Sequence, residues 1–267
     1  MRRLWAAVAA FTCLCGSARA HDKWELGTAG DDDDSATPNA PVHGRSQTHD
    51  LEGSGSPPDE DWYRFPTRAR QSYEARLYSA SVYVVMAGGI PVCQAGFCAT
   101  FQRVDETGAA LQTASATEGE SHLPVIRWVA AANGREYLRV RGGSGMAWTA
   151  NDEYTIEVSN TTLFAPRFNN SATQVTVLVL QNTTPGTVAG TIDFWGAGGT
   201  LLLGQPFTIA PHGVLTLNTS ALAGVAGQSG ALSIAQDGGY AALTGKAVAL
   251  EPATGFTFDT AVAPVPR

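Results

Sequence analysis

Four consecutive carboxylates, Asp31-Asp32-Asp33-Asp34, followed by Asp59 and Asp61, are the side chains whose type and crowding most invite chemistry. Ca²⁺ takes about six to eight oxygen ligands from carboxylates and carbonyls on adaptable loops. Clustered carboxylates repel one another unless a cation sits among them, so a fold that gathered these aspartates would make a calcium cage. Calcium is therefore the expected cofactor. The alternative is that Asp31 to Asp34 form a solvated linker and that Asp61 caps a turn. The run lacks the ligand order of an EF-hand loop.

Other chemistry is weaker. His21, His43 and His49 share the N-terminal stretch, and His122 and His212 lie in turns; none has a zinc-binding spacing, and solvent-facing histidines are expected. Gly142-Gly143-Ser144-Gly145-Met146 and Gly227-Gln228-Ser229-Gly230-Ala231 lack the last glycine of a nucleophile elbow and read as turns. Glu74, Glu136, Glu153 and Glu157 sit where outward-facing strand residues are expected, so a surface role outweighs a carboxylate pair for glycoside hydrolysis. No catalytic residue is assigned, and the chain is read as a non-enzyme. Among the aromatics, Trp62, Trp128, Trp148 and Trp195 with Tyr78, Tyr83 and Tyr137 could stack on sugars, although inward-facing ones are core. Trp148, in a Gly-rich stretch, is the best candidate for ligand stacking. Sequons begin at Asn160, Asn182 and Asn218.

The elements that must position these residues begin with an address. Arg2 and Arg3, the apolar stretch Leu4 to Cys15, and Ala18-Arg19-Ala20 have the order of a secretory signal peptide spanning residues 1–20. The apolar run is too short to cross a bilayer of roughly 30 Å, and Thr12-Cys13-Leu14 is a poor match to the box before a lipidated Cys15. A secreted, periplasmic or cell-surface protein without a transmembrane segment is expected. Cleavage would remove Arg2, Arg3 and Arg19 and no acid, moving the formal charge from -7 to -10. Such a surface disfavours nucleic acid and anionic membrane. Export would also let Cys93 and Cys98 pair; their short loop limits the entropic gain to about 3 kcal/mol or less.

Residues 21–58 are an acidic, Gly/Ser/Pro-rich lead-in with little aliphatic periodicity, ordered only where something ties it down. From 59 to 160 apolar and polar residues alternate with the period of half-buried strands, as in Tyr73-Glu74-Ala75-Arg76-Leu77 and Tyr154-Thr155-Ile156-Glu157-Val158. Turns such as Thr107-Gly108 and Asn133-Gly134 separate the runs. Residues 161–171 break the alternation; Pro166 argues against a central strand there, and the stretch is read as a linker. Residues 172–262 resume the β pattern with far fewer charges, interrupted only by a short helical signal over Leu222 to Ala226. The expected fold is all-β, two antiparallel β-sandwich domains of jelly-roll or immunoglobulin-like type in tandem.

The first module resembles the bacterial pre-peptidase C-terminal domain, a jelly-roll-like sandwich appended to secreted proteases and other exported proteins. The acidic run Asp31 to Asp34 with Ser35 to Ala40, Val42-His43-Gly44, the opening strand Asp59-Glu60-Asp61-Trp62-Tyr63-Arg64-Phe65 and the closing Tyr154 to Val158 carry the resemblance over roughly Gly30 to Val158. A cysteine-bearing insertion around Pro91 to Phe101 departs from the pattern. The resemblance implies calcium ligation by Asp32, Asp34, Asp59 and Asp61, and an accessory rather than proteolytic role. The second module resembles small C-terminal sandwiches of exported bacterial proteins through Leu178 to Thr183, Leu217-Asn218-Thr219 and Gly245 to Pro252. The expected function is a secreted accessory or adhesive protein that binds an extracellular protein or polysaccharide. A secreted hydrolase with a dispersed site and a structural envelope component are the competing classes.

Overall fold

The computed structural model describes residues 33–51, 59–78, 85–87, 90–92, 99–114, 124–142, 153–171 and 173–267. Nearly all of the ordered structure is antiparallel strand, and two apolar cores separate it into two sandwiches. Among the described residues no helix is long and apolar enough to cross a membrane.

The first sandwich is made of β1 (Ser46–Asp50), β2 (Glu60–Thr67), β3 (Ser72–Tyr78), β6 (Thr100–Val104), β7 (Ala110–Ala114), β8 (Val125–Val129), β9 (Gly134–Arg141) and β10 (Glu153–Asn160). Between β3 and β6, β4 (Val85–Ala87) and β5 (Ile90–Val92) pair as a separate ribbon. The sheets run β1-β10-β3-β8 and β2-β9-β6-β7, so successive strands keep crossing from one layer to the other, the order of a jelly roll. Alternate residues enter the shared core: Tyr63 and Phe65 from β2, Leu138 and Val140 from β9, Ala75 and Leu77 from β3, Tyr154, Ile156 and Val158 from β10.

The second sandwich contains β11 (Leu163–Asn169), β12 (Val175–Asn182), β13 (Val188–Gly196), β14 (Leu201–Ile209), β15 (Val214–Asn218), β16 (Ser229–Gln236), β17 (Leu243–Glu251) and β18 (Phe256–Pro264). They bond in the order β14-β13-β16-β11-β18-β17-β12-β15, wrapped around one core in which Phe168 and Phe194 meet edge to face.

Two expectations are corrected here, and one is made specific. Residues 161–171 are not a free linker, because Leu163–Asn169 form β11 between β16 and β18. Pro166 is accommodated because the register shifts between Ala165 and Phe168, leaving Pro166 and Arg167 exposed in a bulge where no ladder N–H is needed. The lead-in is ordered over part of its length: Ser46–Asp50 is an edge strand, Leu51 joins the core, and Thr37 and Asn39 are buried against β2. There Thr37 Oγ1 donates to the Trp62 carbonyl (2.9 Å), and the Arg64 N–H donates to the Asn39 carbonyl (2.9 Å). Finally, the helical signal over Leu222 to Ala226 becomes turns following a 3-10 turn, Thr219–Ala221.

Candidate functional site

The sequence-predicted calcium ligands divide between different environments. Asp34 is exposed, and its Oδ1 accepts the Ala36 N–H (2.7 Å), an Asx turn. Asp61 points into the first core, where the Tyr154 hydroxyl donates to it and the Tyr63 hydroxyl donates to Tyr154. Asp59 precedes β2, and its carbonyl accepts the Gly142 N–H (2.9 Å). Asp32 lies outside the described residues, as do Cys93, Cys98, Trp148 and residues 1–20. Among the described residues no group of three His, Cys, Asp or Glu side chains is arranged to hold a metal ion.

Burial, then the negative charge of Asp61, push the Tyr154 hydroxyl well above the ordinary tyrosine range. His49 is also inside this core, edge-on to Tyr63 with ring centroids 4.9 Å apart and stacked on Tyr154 at 5.8 Å. The expectation of a solvent-facing histidine fails at His49 because β1 is an ordered strand whose inward positions include it. It fails at His43 too, which is half-buried. The Asn160 N–H donates to His43 Nδ1 (2.9 Å), and Nε2 lies 3.1 Å from the Val265 carbonyl. His212 is exposed in its turn as expected.

The densest polar constellation lies where the sandwiches meet. Glu74 was expected on the surface. It does point away from its own core, yet only 1 % of it is exposed, because the loop after β16 covers that face of β3. Arg76 Nε donates to Glu74 Oε1 (2.7 Å), Arg127 Nε donates to Oε2 (2.6 Å), and the Tyr240 N–H reaches Oε1 at 3.4 Å. Burial alone would raise the Glu74 carboxyl, but the hydrogen bonds and charges of the two arginines outweigh it and hold it below the usual glutamate range. Gly239 is required for this approach: a Cβ there would come within 2.9 Å of Glu74 Oε2 and 3.0 Å of Arg76 Nη2.

Beside it, Arg70 reaches from the β2–β3 turn to Asp193 on β13 in a two-pronged ion pair, with Nε to Oδ2 at 2.8 Å and a second bond from Nη2 to Oδ1. The hydrogen bond to Asp193 raises the Arg70 pKa further, and only 1 % of the Asp193 side chain is exposed. Arg70 holds φ at 66°, a conformation unfavourable for a residue with a Cβ, and Ala241 in the opposing loop holds 61°. Gly204 leaves space for the pair, since a Cβ there would sit 2.8 Å from Arg70 Nη2. The far edge is closed by Arg267, which bonds Glu157 (3.1 Å) and lies over the Tyr240 ring at 3.8 Å from its centroid.

Between the sandwiches these contacts leave an open cleft of about 460 Å³ lined by Arg70, Val129, Thr191, Asp193, Gln236 and Asp237 among others. Val129 exposes half its surface. An apolar wall with a few fixed polar groups is the composition of a small-ligand site. The carboxylates in its lining suit hydroxyl- and amide-bearing groups better than a polyanion.

Sequence reasoning missed this junction. Its one signal was Asp193, a lone acid in the apolar run Ile192-Asp193-Phe194, where an unpaired charge would be costly. The aromatic candidates are mostly structural: Trp62 and Trp128 are buried, and the Trp195 Nε1–H donates to Ser233 Oγ (2.7 Å). Asn182 is buried in side-chain hydrogen bonds, which withdraws it as a glycan acceptor in the folded state.

No protein-family model matches the chain, and no curated protein is significantly similar to it. Among solved structures, a Bacteroides uniformis β-glucuronidase aligns at 11 % identity and a TM-score of 0.21, covering 79 % of this chain and 27 % of that one. A calcium binding mutant of Bacteroides uniformis β-glucuronidase 2 aligns at 13 % identity and a TM-score of 0.19, covering 90 % and 31 %. The chain spans about a quarter to a third of the length of these enzymes, and a likeness this faint carries no argument about function.

Proposed function

We propose that the protein is an exported, non-catalytic accessory or adhesive protein whose paired sandwiches present the junction cleft to an extracellular protein or polysaccharide. The observation that carries this reading is the junction itself: the Arg70–Asp193 ion pair crosses between the sandwiches at the cleft, and the Tyr240 N–H reaches Glu74 across the same junction. A preformed concave surface on a rigid scaffold binds without paying for rearrangement. The signal-like N-terminus supports export. The first sandwich is read as calcium-stabilised through Asp32, Asp34, Asp59 and Asp61, a reading that rests on the sequence resemblance alone.

Binding is tested by co-sedimentation with insoluble collagen, chitin, cellulose and peptidoglycan, comparing the wild type with Val129→Arg, which fills the cleft mouth. Retention on one polymer, lost in the variant, supports the reading; retention on none, or steady release of product, refutes it. Calcium is tested separately by thermal melting with millimolar calcium or excess chelator, where an unchanged midpoint removes that part.

A further inference from the structure

The second sandwich handles its strand edges unequally. β14 carries Pro206, which has no N–H to offer. β15 is five residues long and runs directly into the 3-10 turn. In the first sandwich, the edge of β2 is capped by the Asn39 carbonyl. β18 is different. β11 pairs with it only through Leu163 with Pro264 and Phe164 with Ala263. The next positions of β11 enter the Pro166 bulge and turn to β16, while β18 continues along β17 from Val262 back to Phe256. Among the described residues, Phe256 to Val262 therefore have a strand neighbour on one side only; the Phe256 N–H reaches Thr254 Oγ1 (3.5 Å), and beyond it alternate backbone groups face outward along an open edge.

The same stretch shows an apolar face. Phe256 and Phe258 lie two residues apart, on the face that Val262 continues into the core, and are 66 % and 61 % exposed. The neighbouring Asp259 is paired with Lys246 (2.6 Å), so it does not act as a free gatekeeping charge.

An open strand edge accepts an extended backbone, and this face accepts apolar side chains at alternate positions. β18 is itself such a strand. We infer that the Phe256–Val262 edge is a self-association surface, taking β18 of a second copy of this chain in antiparallel, two-fold pairing. With the axis at Phe258, that ring meets its own copy, Phe256 faces Thr260, and Asp259 faces Thr257, so no like charges are opposed.

Sedimentation equilibrium of the purified protein from about 1 to 100 µM, a range set by the affinity of modest interfaces, tests this. A dimer is expected, weakened about a hundredfold or more by Phe258→Glu, with the variant's melting curve establishing that it still folds. Hydrogen exchange on the same samples should show Phe256 to Val262 slowed as dimer forms, and Leu201 to Ile209 unchanged. A monomer throughout overturns the inference, whatever other strand the edge then binds. A dimer indifferent to Phe258→Glu, or protected at β14 and not β18, overturns it equally.

Discussion

The two sandwiches solve one problem, holding strand ends and loops around an apolar core, with different polar chemistry. The first uses ionisable groups: Asp61 under Tyr154 and Tyr63, buried His49, and Glu74 between two arginines. The second uses neutral amides. The Asn182 side-chain nitrogen lies 2.6, 3.2 and 3.1 Å from the Gly186, Ile209 and Ala210 carbonyls. Asn170 accepts the Thr176 N–H (3.0 Å) and donates to the Val225 carbonyl (3.2 Å). Through Glu74 and Tyr154 the first sandwich is expected to respond to pH in a way the second sandwich's interior is not.

The comparison breaks hardest at the second core. Phe194→Ala removes one ring of the Phe168–Phe194 pair and should cost about 3–5 kcal/mol, measured by urea unfolding, with little change between pH 5 and 8. Next come the polar staples. Asn182→Ala strands three carbonyls and Tyr154→Phe removes the donor to Asp61; each should cost about 1–3 kcal/mol. Tyr154→Phe should also alter the alkaline limb of the stability curve. A tyrosine whose native pKa is raised contributes stability that is complete below its unfolded value of about 10 and is lost as pH rises through the native one.

Glu74→Gln sharpens the contrast from the acid side. The depressed native pKa means that its contribution is complete above the unfolded value of about 4.3 and disappears as pH falls through the lower native value. The variant should lose about 2 kcal/mol at neutral pH, a discounted figure because Arg76 and Arg127 are about a third exposed. Its curve below pH 4 should be flatter than the wild type's. The smallest effect is expected from Asp193→Asn, about 1 kcal/mol or less, because Arg70 is partly solvated.

The fold was readable where side chains alternate by polarity, which is why β3 and β10 were anticipated nearly to their ends. β1 was missed because Ser-Gln-Thr-His-Asp carries no aliphatic residue, although His49 fills the inward position. β11 was missed because proline was given no bulge to occupy. The junction was almost invisible for a physical reason. Alternation says which way Glu74 points from its own sheet, and nothing in it says that a second sandwich lies on that side.

Scanning calorimetry at pH 7 and pH 3 puts the central claim, two sandwiches coupled by a charged junction, to its most direct test. One cooperative transition at pH 7 that divides into two at pH 3, and already divides at pH 7 in Asp193→Asn, which removes the ion pair crossing the junction, is the predicted result. Two independent transitions at pH 7 in the wild type, or one undivided transition under all three conditions, would contradict it.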